Sequence, residues 1–161
     1  MEEDKTTFQR VVDFNKSFGV PTFSTPQTNI FTENPKLVNL RLSLIIEEVN
    51  ELKEAIDNHD FTEVIDALGD IKYVVDGAAA SFGIDLDKAF DLIHKSNMSK
   101  LCKTENEAKE TVKWYLENDN RYDTPSYRKS QDGNNYVVFN ESTGKVLKSI
   151  NYDPVKFDTI L

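Results

Sequence analysis

Two helical patterns follow each other in the stretch from Arg41 to Asp70, separated by a short polar turn. In the first pattern, apolar residues recur every three or four positions, as on one face of an amphipathic helix. These residues are Leu42, Ile45, Val49, Leu52 and Ile56. The second pattern has the same spacing and contains Phe61, Val64, Leu68, Ile71, Val75, Ala78 and Phe82. The stretch therefore predicts two helices that face each other.

Each of these helices also carries carboxylates beside its apolar face. On the first helix, Glu48 lies at the margin of the face and Glu51 stacks one turn later, while Glu47 and Glu54 point toward water. The second helix carries a separate acidic row of Glu63, Asp66 and Asp70. Like charges held close together raise each other's pKa, and Mg²⁺, which prefers oxygen ligands, would remove that repulsion. The pattern suggests a metal site, although an ordinary solvated acidic face is the alternative.

Composition limits the protein class. A chain of 161 residues with 39% hydrophobic residues suits one globular domain, residues 1–161, with a real core. The net charge of −9 argues against binding to nucleic acid or to an anionic membrane, because both require a positive surface. It still permits a nucleotide ligand, since a metal ion can supply positive charge locally.

Three features predict a cytoplasmic protein. The single cysteine, Cys102, cannot form an internal disulfide, which fits a reducing compartment. No apolar run approaches the length that spans a membrane. The N-terminal residues are acidic, whereas a signal peptide begins with basic residues.

The whole chain predicts an all-α fold, a bundle of about five helices with a small C-terminal β-hairpin. The helices are expected at about residues 5–18, 35–58, 60–82, 85–98 and 105–117, with Asp60 and Gly83 capping the third. Residues 21–35 are expected to form a loop, either a flexible segment near a site or a simple connector, and residues 118–135 are polar and turn-rich. The helical core thus covers about residues 5–117, and residues 118–161 form the extension.

The predicted hairpin pairs Tyr136–Asn140 with a strand that begins at Lys145, around a turn with Gly144 at a positive φ. An isolated hairpin is only marginally stable, so it should lie on the helical body. It then either simply covers the core, which we favour, or covers the acidic site and brings Lys145 and Lys148 toward phosphates.

The segments IIEEVNELKEAI, DALGDIKYVVDGAAASFGIDL and HKSNMSKL resemble the all-α nucleoside triphosphate pyrophosphohydrolases. This group includes MazG-like proteins, dimeric dUTPases and phosphoribosyl-ATP pyrophosphohydrolases, and the resemblance is closest to MazG-like members of the phosphoribosyl-ATP pyrophosphohydrolase type. It covers about residues 38–101. The family signature is EExxE on one helix and ExxD on the next, and Glu47-Glu48-Val49-Asn50-Glu51 matches its first half.

The second half of the signature differs from the family pattern. If Gly69-Asp70 is aligned with the family's GD dipeptide, Ala67 stands where the acidic residue is expected. The alternative reading, Glu63-Val64-Ile65-Asp66, lies one helical turn earlier. The resemblance then implies Glu48, Glu51 and Asp70 as the first metal ligands, followed by Asp66 and then by Glu47 and Glu63.

The resemblance also implies an activity. These enzymes cleave a nucleoside triphosphate between the α- and β-phosphates and release a monophosphate and pyrophosphate, with Mg²⁺ as the cofactor and Mn²⁺ as its alternative. Glu47 or Glu48 would orient or deprotonate the attacking water. Lys95, Asn97 and Lys100 would contact the phosphates. Members of the family are dimers or tetramers, and we expect at least a homodimer.

Two rival interpretations remain open. The first is a catalytically inactive relative that binds nucleotide or acts as a scaffold, which Ala67 in place of an acidic residue would explain. The second is an enzyme that hydrolyses phosphoribosyl-ATP. The sequence does not identify the preferred base. The candidate stacking residues are Phe14, Phe18, Phe23, Phe31 and Tyr73, although aromatic residues at helical spacing more often belong to a core.

Overall fold

The computed structural model describes residues 4–161, which contain six helices and a three-stranded sheet. The helices are α1 (Thr7–Ser17), α2 (Ile30–Glu33), α3 (Pro35–Asp57), α4 (Phe61–Phe82), α5 (Leu86–Met98) and α6 (Glu105–Asn118). The strands are β1 (Pro125–Lys129), β2 (Tyr136–Asn140) and β3 (Lys145–Val146). This confirms the mainly helical fold with a small C-terminal sheet. Within the described range, every helix is too short or too polar to cross a bilayer.

The described chain divides into two compact units. The first ends at Phe90 and also includes Asp158–Leu161, and the second is Asp91–Phe157. That the whole chain is one domain stays a prediction.

Capping residues place the ends of the two long helices where the sequence predicts them. The Asn34 side chain accepts a hydrogen bond from the Leu37 amide, and Pro35 is the first residue of α3. Asp60 caps α4 by accepting from the amides of Thr62 and Glu63. At the other end of α4, Gly83 adopts the left-handed conformation with φ +73°.

The predicted apolar faces of α3 and α4 are partly wrong, because several of their large residues are exposed. Leu42, Val49 and Ile56 are about half exposed on α3, as is Leu68 on α4, and Phe61 is 76% exposed. The buried positions are instead mostly small or polar, namely Leu37, Arg41, Ala55, Ala67 and the run from Asp76 to Ser81. Small side chains let two helix backbones approach closely, so the large apolar residues of these helices remain on outer faces.

A polar junction holds α1, α3 and α4 together. A side chain at Gly77 would meet the Arg41 guanidinium at 3.3 Å and would also touch α1. Asn15 of α1 donates from its side chain to the Gly77 carbonyl (3.3 Å). Arg41 Nε donates to Ser81 Oγ (3.1 Å), and Ser81 donates in turn to the Pro21 carbonyl (2.8 Å). A Cβ at position 77 would require the Arg41 guanidinium to shift by a few tenths of an ångström.

The segment from residue 21 to residue 35, predicted as a loop, is attached to α4 and contains α2. The amides of Phe23 and Gln27 donate to the carbonyls of Ala80 and Phe82 (3.0 and 2.9 Å). These carbonyls belong to the last turn of α4, where no further helical turn can satisfy them. The segment therefore caps α4 in addition to Gly83.

The second unit packs α6 against the sheet. Its core contains Cys102, Ala108, Tyr115, Val138 and Leu147. Strands β2 and β3 form the predicted hairpin, with Gly144 at φ +72°, although β3 is shorter than expected. The third strand, β1, lies in the segment read as turn-rich, which is a correction. Its residues are largely polar, with Pro125 buried and Arg128 and Lys129 exposed, and backbone pairing with β2 holds it in place.

Replacement of Gly83 tests this attachment. A Cβ at position 83 would overlap the carbonyl oxygen of Thr25, whereas a Cβ at Gly19, which has φ +71°, would meet nothing within 4 Å. We expect Gly83→Ala to lower the free energy of unfolding by about 2–4 kcal/mol, because the loop must move and lose backbone hydrogen bonds. Gly19→Ala should cost only about 1 kcal/mol, the price of the left-handed conformation alone. Equal losses in urea denaturation would show that the loop packing contributes nothing.

Candidate active site

Glu48 lies on the buried line of α3. Arg41, Glu48 and Ala55 are seven residues apart, so they project from the helix in almost the same direction, about 10 Å between neighbours. Arg41 and Ala55 are 7% and 5% exposed. Glu48 is half-buried, and within residues 4–161 its Oε2 is the one buried side-chain oxygen or nitrogen that lacks a hydrogen-bond partner. A buried carboxylate oxygen without a hydrogen-bond partner makes the free energy of folding less favourable.

Burial and neighbouring carboxylates raise the pKa of Glu48. Burial is the largest cause, and the negative charges of Glu51, Asp70 and Glu47 add to it, together with a hydrogen bond to Glu51 that favours the protonated form. Asp70 is on α4, so the carboxylates that the sequence placed on two separate helices do influence each other. That these carboxylates together form a metal site stays a prediction.

Arg41 does not neutralise this cluster. Its Nε is bonded to Ser81 Oγ, and no carboxylate of the described chain lies within 4 Å of its guanidinium. Burial lowers the pKa of Arg41, but a guanidinium remains charged at any ordinary pH. Arg41 was not among the residues that the sequence pattern indicated. A charged residue one heptad before Glu48, inside an apolar pattern, was the available signal.

The residues around Glu48 suit a hard divalent cation in their chemistry. All are oxygen donors, they repel one another, and one of their oxygens is unpaired and buried. The side chains are not gathered into a finished site, because no three acidic, histidine or cysteine side chains of residues 4–161 meet in metal-binding geometry. The identity of the ligands, and of the cation, stays a prediction.

The other predicted ligands lie at the surface. Glu47, Glu51, Asp66 and Asp70 are exposed. Glu63, also exposed, sits in the first turn of α4, where its amide is capped by Asp60. Ala67, the position at which the sequence lacks the expected acid, is only 3% exposed. A carboxylate there would add a further charge to the buried part of α4.

An exposed aromatic cluster follows the acidic row on α4. Tyr73 is one turn beyond Asp70, and its ring meets the edge of Phe14 at 5.4 Å between centroids. Phe14 stacks on Phe18 at 4.2 Å. The three rings are 41%, 40% and 72% exposed, so they are not core residues of this chain. Of the five aromatic candidates from the sequence, the structure brings these three together.

The predicted phosphate ligands belong to the second unit. Lys95 and Asn97 are exposed near the end of α5, and Lys100 is half-buried just beyond it. Lys145 and Lys148 are exposed and lie over tyrosine rings. Contact between any of these five and a substrate held by the acidic residues of the first unit stays a prediction.

Comparison with known proteins gives two matches. Residues 11–97 match the family model described as phosphoribosyl-ATP pyrophosphohydrolase, which includes α3, α4 and all the acidic candidates. An uncharacterized protein of Acanthamoeba polyphaga mimivirus, L479, is 30% identical, and the match covers 99% of this chain and 97% of the viral protein.

Replacement of Glu48 by glutamine tests the electrostatics without any substrate. A raised pKa means that the folded protein binds this proton more tightly than the unfolded chain, so stability is lost as the pH rises above about 4, the ordinary value for glutamate. Glu48→Gln should therefore raise the melting temperature in EDTA at pH 7 by a few degrees, and the difference should disappear near pH 4.

Glu54→Gln, on the exposed side of the same helix, is the matched control and should change little at either pH. A Glu48→Gln variant that melts below the unmodified protein at pH 7 would mean that this carboxylate already has a stabilising partner.

Proposed function

Because the chain belongs to the phosphoribosyl-ATP pyrophosphohydrolase family, we propose that it hydrolyses a nucleoside triphosphate between the α- and β-phosphates with the help of Mg²⁺. The products are a nucleoside monophosphate and pyrophosphate. The family is one of pyrophosphohydrolases, and the nucleoside triphosphate substrate is our inference. The observation that carries it is the buried, unpaired oxygen of Glu48 beside Glu51 and Asp70.

The acidic residues have two tasks in this proposal. Glu48, Glu51 and Asp70 hold the cation, with Asp66, Glu63 and Glu47 as further ligands. When bound there, Mg²⁺, or Mn²⁺ in its place, would neutralise charge on the triphosphate and would supply Lewis-acid chemistry. Glu47 or Glu48 orients a water molecule and accepts its proton as the new oxygen–phosphorus bond forms. The bond between the α-phosphorus and the bridging oxygen breaks, and pyrophosphate leaves with that oxygen.

The exposed aromatic cluster of Phe14, Phe18 and Tyr73 is suited to the base of the substrate. A base has an apolar face that stacks on an aromatic ring, and such stacking contributes about 1–3 kcal/mol. Tyr73 is three residues from Asp70 on α4, which places its ring within one helical turn of the acidic row. Lys95, Asn97 and Lys100 are proposed to stabilise the departing pyrophosphate.

Pyrophosphate release from a panel of NTPs, dNTPs and phosphoribosyl-ATP, with Mg²⁺ or EDTA, tests the proposal. We expect Mg²⁺-dependent release that falls by about a hundredfold or more in Glu48→Gln, as for the loss of a charge-stabilising group, and that is retained in Glu54→Gln. Phosphoribosyl-ATP is included because the matching family model carries that name; preferred turnover of it would replace the nucleoside triphosphate assignment. No release from any of these compounds by the folded protein would contradict the hydrolase.

The same panel tests the aromatic cluster. Tyr73→Ala should raise KM for the preferred nucleotide more than it lowers kcat, because stacking on the base is present in both ground and transition states. Phe61→Ala is the control, since Phe61 is an exposed aromatic residue at the first position of α4. An unchanged KM in Tyr73→Ala would remove the aromatic cluster from the substrate site.

We further propose that the protein is a homodimer or a tetramer. Large apolar side chains are left exposed on α3 and α4, and a contiguous exposed apolar patch is typical of an interaction surface; the residues are Leu42, Ile46, Val49, Ile56, Ile65 and Leu68. A second copy of the helix pair would complete a bundle by covering these faces. Light scattering should give at least twice the monomer mass, and Val49→Glu should reduce it. A monomer at micromolar concentration would contradict the proposal.

A further inference from the structure

A cavity of about 390 Å³ in the second unit is positively charged although the chain as a whole carries a net charge of −9. Its charged lining consists of four cations and one carboxylate, and these are Lys100, Arg121, Lys145, Lys148 and Asp119. The carboxylate is already occupied, because Asp119 accepts from Arg121 Nε at 2.9 Å and from Arg121 Nη2 at 2.7 Å. None of the three lysines has a carboxylate of the described chain within 4 Å.

The rest of the lining is largely aromatic. Trp114, Tyr115 and Tyr122 line the cavity, and Trp114 is 46% exposed. Its ring meets Tyr115 edge to face at 5.0 Å, so a face of the indole is not used by Tyr115. A neighbouring cavity of about 330 Å³ shares Trp114, Tyr115 and Lys148 with the first. Aromatic faces next to unpaired lysines can bind a ligand that has both a planar ring system and an anionic group.

The cations are held in place by aromatic rings. Lys145 Nζ lies 5.3 Å from the centre of the Tyr122 ring, and Arg121 Cζ lies 5.4 Å from the same ring. Lys148 Nζ lies 4.6 Å from the centre of the Tyr152 ring. Cation–π contacts of this length restrain a lysine without neutralising it. The positive charge therefore remains available to an anion.

The backbone of this region is fixed to α6. The buried Tyr115 hydroxyl donates to the Lys148 carbonyl at 2.9 Å and accepts from the Lys148 amide at 3.1 Å. Burial raises the pKa of Tyr115, which keeps the hydroxyl protonated and able to donate. One side chain thus satisfies both backbone groups of Lys148. A preformed site loses less conformational freedom when it binds a ligand.

We propose that this cavity binds a nucleoside phosphate, with the base stacked on Trp114 and the phosphate bound by Lys145 and Lys148. The cavity has the size of a small-molecule site, and the negative charge of the whole chain disfavours a long polyanion such as single-stranded nucleic acid. The site lies within residues 100–148, outside the segment that matches the family model. It does not depend on the proposed hydrolase activity.

The fluorescence of Trp114, the only tryptophan of the chain, provides the measurement. The full-length protein in EDTA is titrated with AMP, GMP, CMP and UMP, which contain no phosphoanhydride bond for a pyrophosphohydrolase to cleave. We expect a fluorescence change with saturable binding below about 1 mM. Adenosine should bind about tenfold more weakly than AMP, since it lacks the charge-assisted contacts of the phosphate.

Variants locate the site. Lys145→Ala and Lys148→Ala should each weaken AMP binding by about tenfold, and both side chains are exposed, so folding should be retained. Lys148→Arg, which keeps the charge, should bind AMP. Lys113→Ala is the matched control, because Lys113 is an exposed lysine of α6 whose partner is Glu117. Glu48→Gln should bind as the unmodified protein does.

Four results would overturn the proposal. These are no binding of any monophosphate, equal affinity for adenosine and AMP, AMP affinity that is unaffected by both lysine variants, and tighter binding of a single-stranded oligonucleotide than of any monophosphate. Loss of AMP binding in Glu48→Gln would likewise reject a separate site. Failure of the hydrolase assay has no bearing on these outcomes, so the two proposals fail independently.

Discussion

On α3, which packs closely against α4, one carboxylate oxygen of Glu48 is buried without a hydrogen-bond partner. Small residues, Ala55, Ala67 and Gly77, are buried on these helices, and Glu48 lies on the same line of α3 as Ala55. Burying one oxygen of an ionised carboxylate without a partner opposes folding, and the charges of Glu51 and Asp70 increase that cost. A protein optimised for stability alone would not place glutamate at this position, which is the strongest reason to regard it as functional.

The ends of the helices were predictable because each depends on neighbouring residues only. Asp60 caps a helix with its side chain, Pro35 fixes φ at the first helical position, and Gly83 adopts a positive φ. Each effect can be predicted from the residue and its sequence neighbours alone. The faces of the helices were not predictable in the same way. A hydrophobic pattern identifies side chains that avoid water but not the surface that covers them. Here α3 and α4 bury mostly their small residues, and their large apolar residues, such as Leu42, remain exposed.

The site was predictable to the extent that it lies on one helix. The EExxE motif fixes the spacing of Glu47, Glu48 and Glu51, and helical geometry then places residues three or four positions apart next to each other. The influence of Asp70 on Glu48 depends on how two helices pack, which the sequence suggested through the acidic rows beside the two apolar faces and through the family resemblance. Strand β1 was missed because its residues are mostly polar and it is held by backbone pairing. The basic cavity was missed because Lys100, Arg121 and Lys145 come from distant parts of the chain.

The two units have opposite local charge, and this has a consequence for any nucleotide that the protein binds. The acidic residues around Glu48 repel phosphates unless a cation is present, so binding in the first unit should depend on Mg²⁺. The cavity around Lys145 and Lys148 attracts phosphates directly, so binding there requires no cation and should weaken with salt as its charges are screened. Dependence on metal and dependence on salt therefore separate the two sites more clearly than affinity does, because a single nucleotide could have similar affinity for both.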